Sequence, residues 1–136
     1  MLTSECIHPE LMRILSLCGH GDRILIADGN YPLASKTGHA EKVYLGLARG
    51  LPTVTQVLST LQTCINIEAA AVMTPGADEE EPQAFTEFRE MLPQIPVESL
   101  DRYAFYEACV DANVRLAIAT GETRTFANIL LTVGVA

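Results

Sequence analysis

The chain has 136 residues, a length that suits one domain with a hydrophobic core of its own. Its net charge of −8, from nine basic and 17 acidic residues, disfavours nucleic acid or an anionic membrane surface as the main partner. No apolar run reaches the roughly 18 residues expected of a membrane span, and the first residues lack the basic segment and apolar run of a signal peptide.

The four cysteines lie far apart and form no C-x-x-C pair, so we expect reduced, mostly buried thiols and a cytoplasmic location. Apolar residues make up 49% of the chain, which is a rich mixture for a small soluble monomer. Part of that apolar surface is available for burial between subunits, although a well-filled core explains the same composition.

The first predicted elements are a helix and a buried strand. Pro9 suits a first helical turn, apolar residues then recur at helical spacing, and Gly19 suits the position after a helix. These signals predict a helix over roughly residues 9–18. The run "RILIA", residues 23–27, is short, continuously apolar and bounded by aspartates, as in a central strand covered on both faces.

The middle of the chain predicts a loop, two further helices and a second buried strand. Residues 30–50 contain glycine, proline and many polar residues, and they predict a long loop. A helix face follows Pro52, and "EAAAVMT", residues 68–74, predicts another buried strand. Acidic residues within 75–84 indicate an exposed turn that leads into a helix through Phe85.

The last third predicts one helix and two strands. The helix covers about residues 101–113, and the strand candidates are "RLAIATG" (115–121) and "ANILLTVGV" (127–135). Alternating helices and short apolar strands predict a single α/β domain over residues 1–136, with a mainly parallel sheet flanked by helices. Sites in such sheets gather where strands end and loops begin.

Polar residues stand at both ends of the strand 23–27. His20 precedes it between two glycines, and such a loop histidine is more often a bystander than a catalyst. Asp22 and Asp28 flank the strand, where caps and turn residues are the commoner role of aspartate. The position of these groups in a plausible pocket makes His20 and Asp28 candidate functional residues.

Two other kinds of site have less support in this stretch. Cys18, His20 and Asp22 alternate like a metal-ligand set, but Cys18 is predicted on the inner face of a helix and no second ligand pair has zinc-like spacing. A serine nucleophile has no support, because the chain contains no G-x-S-x-G motif. We therefore expect neither a metal site nor a serine hydrolase.

Three segments in the same order resemble the fucose mutarotase and ribose pyranase family. "SLCGHGDRILIADGNYP" resembles its N-terminal Gly-His-(Gly or Thr)-Asp turn, apolar strand and following aspartate. "DRYAFYEA" resembles the Arg-Phe-x-Phe-Tyr-Glu stretch of the fucose mutarotase branch. "ATGETRTFANILLTVGV" resembles the C-terminal Thr-Gly-Glu, Tyr-(Gly or Ala)-Asn and Gly-Val ending of the family.

This resemblance implies a fold, an assembly and an activity. The fold is an α/β sheet flanked by helices, and the assembly is a homo-oligomeric ring, often a decamer of two stacked pentamers, with sites where subunits meet. The implied activity is the interconversion of anomers, or of pyranose and furanose forms, of a free monosaccharide such as L-fucose or D-ribose. It requires no cofactor.

Site residues follow from the matching positions. The resemblance places His20 on the family's acid/base histidine and Asp28 on the aspartate that binds sugar hydroxyls. Arg102 and Asn128 fall on two further substrate-binding residues, and Phe126 takes the place of the tyrosine in the C-terminal motif. A histidine suits ring opening because its unperturbed pKa lies near neutral pH.

Supporting roles are expected for Asp22, which orients His20 or caps the turn, and for Tyr106. We expect the strand 23–27 to act as a rigid spacer that holds His20 and Asp28 around one sugar.

Departures from the family pattern motivate a second hypothesis. Phe126 lacks the tyrosine hydroxyl, so proton transfer would need water or another group; the candidates are Tyr31, Tyr106 and Arg124. Arg49 stands where an acid is typical, and the loop 33–47 is short, which leaves the sugar open. The alternative function is a sugar-binding or regulatory ring that has weak turnover or none.

Overall fold

The computed structural model describes all residues, 1–136, as one sheet with helices on both faces. The elements in chain order are α1 (Pro9–Leu17), β1 (Arg23–Ala27), β2 (Glu41–Tyr44), α2 (Val54–Gln62), β3 (Ile67–Met73), α3 (Gln83–Met91), β4 (Val97–Leu100), α4 (Arg102–Cys109), β5 (Val114–Ala119) and β6 (Ile129–Val133). The predicted α/β class is confirmed. None of these helices has the length and apolar character that a membrane span requires.

The six strands are ordered β2-β5-β1-β6-β3-β4. Five strands run in one direction, and β6 is antiparallel to both of its neighbours, β1 and β3. The short, helix-free connection from β5 to β6 explains the reversal, because a parallel return needs a crossover of about a dozen residues or more. The predicted mainly parallel sheet is confirmed.

Two strands of the sheet were not predicted from the sequence. The predicted loop 30–50 contains β2, and β4 precedes the helix expected at 101. Both are four-residue edge strands with exposed charged residues, among them Glu41 and Glu98. Edge strands carry such charges because they discourage pairing with other chains, and the charges remove the apolar pattern of a buried strand.

Local capping sets the helix ends. Helix α2 begins with a capping box, in which the Thr53 side chain accepts from Gln56 N and the Gln56 side chain accepts from Thr53 N. Asp101 caps α4, which ends at Cys109 and not near residue 113 as predicted. The chain leaves the helix there because the Asp111 carboxylate accepts from Asn113 N at 3.0 Å, a side-chain turn that competes with helical bonding.

The core has two layers, one on each face of the sheet. Side chains of β1 alternate between them, so that Ile24 and Ile26 meet α1, α2 and α3 while Leu25 and Ala27 face α4 and the loop after β1. Both layers are buried, which is why the strand reads as a continuous apolar run. Three helices cover the first face and α4 alone covers the second, where Tyr31 packs edge-on against Phe105 at a centroid distance of 6.1 Å.

The parallel set defines two edges of the sheet. We call the edge where β1, β2, β3, β4 and β5 end, and where β6 begins, the carboxyl edge. The opposite edge, where these strands begin and β6 ends at Val133, is the amino edge.

The cysteines agree only in part with the expectation of buried thiols. All four are free; Cys6 and Cys109 are buried and Cys18 is half-buried, whereas Cys64 is exposed. Cys64 follows α2 in a loop, so no layer of the core covers it.

Candidate functional site

Asp28 is the central polar group of the carboxyl edge. It directly follows β1 and is 3% exposed. Its Oδ1 accepts from Asn30 N at 2.9 Å, and its Oδ2 accepts from Ala127 N at 3.2 Å. Two backbone donors therefore hold the carboxylate in one orientation, and a carboxylate retains further lone pairs for a ligand.

Burial and hydrogen bonding have opposite effects on the pKa of the Asp28 carboxyl. Burial raises the pKa of its carboxyl above the ordinary value of 3.8, and the backbone N–H groups of Asn30 and Ala127, which favour the charged form, oppose that rise. The carboxyl borders a cleft of about 430 Å³ whose wall includes Tyr31, Tyr44 and Thr120. Such a group suits the recognition of hydroxyls by hydrogen bonds.

Asn128 lies beside Asp28. Its Oδ1 accepts from Asp28 N at 2.7 Å, and the residue is 3% exposed. Because the carbonyl side of this amide faces a backbone donor, the Nδ2 group is the side that donates. The first strand and the C-terminal motif, 100 residues apart in sequence, are thus joined directly at this edge.

Phe126 has an unusual backbone conformation. Its φ of 56° lies in the left-handed region, where a bulky residue is a rare outlier. The bonds from Ala127 N to Asp28 and from Asp28 N to Asn128 fix the chain on its C-terminal side. Strain of this kind clusters at functional sites. The Arg102 guanidinium lies 5.8 Å from the centre of the Phe126 ring, so two of the predicted binding residues are in contact.

The groups expected to replace the missing tyrosine hydroxyl are not equally available. Tyr31 is buried and its hydroxyl donates to the Lys36 carbonyl at 3.0 Å. Tyr106 packs edge-on against Tyr31, at 5.5 Å between ring centres, and its hydroxyl donates to no group of the chain. Lys36 Nζ lies 5.6 Å from the centre of the Tyr106 ring.

Arg124, the third candidate, is occupied by two carboxylates. Its Nη1 contacts Glu87 Oε2 at 2.6 Å and its Nε contacts Glu122 Oε1 at 3.1 Å. Glu122 is buried; its burial raises the carboxyl pKa, but the bonds to Arg124 outweigh this and leave the pKa below its ordinary value. Arg124 therefore ties the loop before Phe126 to α3.

His20 lies at the other edge of the sheet. It belongs to the turn 19–22, in which Gly21 has a φ of 87° and donates its N–H to the Val133 carbonyl at 2.9 Å. The Asp22 carboxylate accepts from Gly19 N at 2.8 Å and so caps this turn. The carboxylate that contacts the imidazole is Glu68, with Oε2 at 2.9 Å from His20 Nε2.

The structure separates His20 from Asp28 within one chain. They lie at opposite ends of β1, whose five residues span about 17 Å at roughly 3.3 Å per residue. His20 borders a different cleft, of about 580 Å³, with Cys18, Ile65 and Val135 in its wall. The expectation that both residues of one chain hold the same sugar is wrong, because a monosaccharide is shorter than the strand between them.

The other residues predicted from the sequence also lie at one edge of the sheet or the other. Asp28, Arg102, Tyr106, Phe126 and Asn128 belong to the carboxyl edge and its adjoining helix, and His20 and Asp22 belong to the amino edge. Arg49 is exposed in a turn that borders a third cleft, of about 440 Å³, beside Asn30 and Gly121.

Glu68 was not predicted as a site residue from the sequence. The only local signal is an acidic residue at the start of an otherwise apolar strand, "IEAAAVM". Its contact with His20 joins residues 48 positions apart and depends on the sheet register. No group of three or more histidine, cysteine or acidic side chains is placed to hold a metal ion.

Comparison with known proteins relates these features to a family. The model of the RbsD / FucU transport protein family matches residues 1–136. The chain is 31% identical to the D-ribose pyranase of Paracidovorax citrulli over 135 residues, which covers 99% of this chain and 98% of the relative. It is also 31% identical to the human fucose mutarotase over 141 residues, with 95% of this chain and 89% of the relative covered.

Solved structures show the same fold. The fucose mutarotase of Streptococcus pneumoniae in complex with L-fucose superposes with a TM-score of 0.84 at 26% identity, covering 100% of this chain and 99% of the other. Bacillus subtilis RbsD complexed with D-ribose superposes with a TM-score of 0.85 at 23% identity, covering 100% and 99%. Since the family model spans the whole chain and the similarity extends through both sheet edges, the chain belongs to the RbsD / FucU family.

Proposed function

We propose that this protein is a cofactor-independent mutarotase or pyranase that opens and recloses the ring of a free monosaccharide such as D-ribose or L-fucose. The observation that carries the proposal is the buried Asp28 carboxylate, oriented by two backbone donors beside Asn128 and close to the Arg102–Phe126 pair. Its relatives named D-ribose pyranase and fucose mutarotase support the same class of reaction.

The carboxyl edge serves as the sugar-binding surface. Asp28 accepts hydrogen bonds from sugar hydroxyls, while Arg102 and the Asn128 amide donate in return. The Asp28 carboxylate is already oriented by two backbone N–H donors, and the Asn128 amide accepts from Asp28 N, so little ordering is left for the ligand to impose. The Phe126 ring offers an apolar surface for the C–H groups of the sugar.

His20 performs the proton transfer. Its imidazole takes the proton of the anomeric hydroxyl, the bond between the anomeric carbon and the ring oxygen breaks, and the ring oxygen receives a proton from water or the Tyr106 hydroxyl. The open-chain aldehyde then recloses with the protons moved in reverse, so there is no net oxidation or reduction. Such acid/base assistance contributes typically about 10²–10⁴-fold.

The active site is composite: His20 of one protomer meets Asp28 of its neighbour. The positions of the two residues support this proposal, because one chain places them at opposite edges of its sheet. An interface between the amino edge of one copy and the carboxyl edge of the next is heterologous and closes into a ring when the rotation permits. We propose a homo-oligomeric ring, a decamer of two pentamers by family resemblance, in the cytoplasm.

Exposed apolar side chains at both edges support such contacts. Tyr44, Leu47 and Leu51 are exposed at or beside the carboxyl edge, and Leu17 and Val135 are exposed near the amino edge. Large apolar side chains grouped on opposite surfaces suit burial between protomers.

A second candidate function is a ring that binds a sugar but turns it over slowly or not at all. Phe126 favours it, since it lacks the family's hydroxyl, and both Tyr31 and Arg124 are held by other groups. Turnover then depends on Tyr106 or water.

Exchange NMR tests both functions. We expect the protein to accelerate anomer or ring-form exchange of D-ribose or L-fucose above the rate in buffer, while His39→Ala, a change at an exposed loop histidine, leaves the rate unchanged. Saturable sugar binding without faster exchange would establish the binding ring in place of the enzyme.

Co-expression of two inactive variants tests the composite site. His20→Ala and Asp28→Asn each remove one half, and random mixing leaves about a quarter of the interfaces with both halves intact. We expect roughly that fraction of the activity to return, with a ring mass in native mass spectrometry. No recovery in mixed rings would mean that the two residues do not meet across an interface.

A further inference from the structure

The amino edge contains a charged contact that the resemblance did not supply. Both carboxylate oxygens of Glu68 face one nitrogen of His20, with Nε2 at 3.1 Å from Oε1 and 2.9 Å from Oε2. We propose that Glu68 is a positioning residue that sets the tautomer and ring orientation of His20. This inference rests on the proposed function of His20 as the proton-transfer group.

The backbone aims Glu68 at the turn 19–22. In the pairing of β3 with β6, Ile67 lies opposite Val133 and Ala69 lies opposite Thr132, so Glu68 is an extra residue in a bulge. Bulges re-aim a side chain and recur beside active sites. Without this bulge, successive side chains of β3 would point to opposite faces of the sheet, and Glu68 would lie on one of those faces.

The end of β6 leaves room for the Glu68 side chain. Gly134 has no side chain there, and a Cβ built on it would lie 3.2 Å from Glu68 Cβ. Two bonds hold this tail in place: Gly134 N donates to the Asn66 carbonyl at 2.8 Å, and Asn66 Nδ2 donates to the Val135 carbonyl at 2.6 Å. The segments that frame Glu68 are therefore fixed on both sides.

The register brings the two residues to the same edge. Arg23 of β1 and Ala69 of β3 both pair with Thr132 of the intervening β6. His20 and Glu68 precede these positions and thus reach past the end of β6 toward each other.

The contact selects one nitrogen for chemistry. A carboxylate only accepts, so Nε2 carries the hydrogen and donates to Glu68, which leaves the Nδ1 lone pair free. Nδ1 makes no hydrogen bond within the chain and is the atom that takes the sugar proton. Once it does, the imidazolium stays bonded to the Glu68 carboxylate, as in other histidines oriented by a carboxylate partner.

A structural role for this pair would have a different signature. The side chains of His20 and Glu68 are 58% and 44% exposed, and exposed pairs of this kind contribute little to stability. Loss of the contact should therefore change the imidazole and the reaction, and leave the folded structure intact.

Imidazole ¹⁵N NMR separates these roles without relying on activity. We expect His20 of the unaltered protein to be held in the Nε2–H tautomer when neutral. Glu68→Ala should give a mixture of tautomers, and Glu68→Gln, which keeps an acceptor oxygen, should restore the single tautomer. Glu98→Ala, at an exposed glutamate on β4, is the matched control.

The kinetic result completes the test. For Glu68→Ala we expect kcat for sugar exchange to fall about 10–100-fold, as when an outer partner of a functional histidine is removed, with KM unchanged because Glu68 does not touch the sugar. An unchanged tautomer overturns the positioning role even if no sugar is turned over. If the parent enzyme is active and Glu68→Ala changes the tautomer but not kcat, Glu68 is not important for the reaction. If the parent protein is inactive, only the proposed function is overturned.

Discussion

The two edges of the sheet, which β1 connects, differ in how they hold their polar side chains. At the carboxyl edge, Asp28 and Asn128 are buried, oriented by backbone N–H donors and held beside a strained Phe126 backbone. At the amino edge, His20 stands in an exposed glycine turn and its main contact is an exposed glutamate. The proposed sugar-binding groups are thus preorganised inside one chain, whereas the proposed proton-transfer group faces outward, where a neighbouring protomer could reach it.

Mutations at the two edges should therefore differ in their effect on the free energy of unfolding. A buried donor or acceptor left without a partner costs about 1–3 kcal/mol, whereas surface changes are usually within about 0.5 kcal/mol. Mutations at the carboxyl edge should therefore affect folding and binding together. Mutations at the amino edge should affect the reaction alone.

The largest expected effect is that of His20→Ala on the reaction. Removal of the acid/base group should lower sugar exchange by about 100-fold or more, while the free energy of unfolding changes by less than about 0.5 kcal/mol. Exchange NMR and urea unfolding measure the two quantities. A large loss of stability would remove the distinction between the edges.

Asn128→Ala should have its main effect on stability. It leaves the buried Asp28 N–H without its acceptor, so we expect a loss of about 1–3 kcal/mol in unfolding free energy, together with weaker sugar binding. Asn113→Ala, at an exposed asparagine before β5, is the control and should change stability by less than about 0.5 kcal/mol. Equal effects of the two variants would contradict the buried network at Asp28.

Acidification should weaken sugar binding through Asp28. Because burial raises the pKa of this carboxyl above 3.8, the carboxylate proposed to accept hydrogen bonds from sugar hydroxyls is lost at a higher pH than at an exposed aspartate. The effect on folding has the opposite sign. A raised folded-state pKa favours the folded state below the unfolded value of about 3.9, and this contribution is lost as the pH rises through the folded value.

The carboxyl ¹³C shift of Asp28, followed with pH beside the sugar affinity, measures this transition. We expect a shared midpoint above 3.8. A midpoint at or below that value would show that the backbone N–H bonds outweigh burial.

The smallest expected effect is a gain from Phe126→Tyr. The added hydroxyl supplies a donor and acceptor at the carboxyl edge, so sugar exchange should rise severalfold while stability stays within about 0.5 kcal/mol. Exchange NMR on the variant and on Tyr106→Phe compares the two hydroxyls. Unchanged rates in Phe126→Tyr would mean that the missing hydroxyl does not limit the reaction.

Much of the fold was predictable because its signals are local. The strand 23–27 was predicted with the bounds that the structure shows, since both faces are buried and the whole run is apolar. The short edge strands β2 and β4 were missed because their exposed charges obscure any apolar pattern. The end of α4 was placed too late, since an Asx-type turn at Asp111 stops the helix.

The candidate site likewise contains residues that the sequence predicted and contacts that it did not. The residues that meet at the carboxyl edge were identified through motifs in the sequence, but their contacts were not, and neither was the left-handed backbone of Phe126. Glu68 carries no motif. Its approach to His20 requires a bulge, a glycine on the neighbouring strand and the register of three strands.

The amino-acid sequence by itself determined the α/β class, the central strand and the residue types available for sugar chemistry, because apolar periodicity and short motifs are properties of neighbouring residues. Only the tertiary structure decided which of those residues meet. A strand places its two ends at opposite edges of a sheet, so His20 and Asp28, although eight positions apart in sequence, face different surfaces. Contacts across strands depend on pairing and register, which no local segment encodes alone.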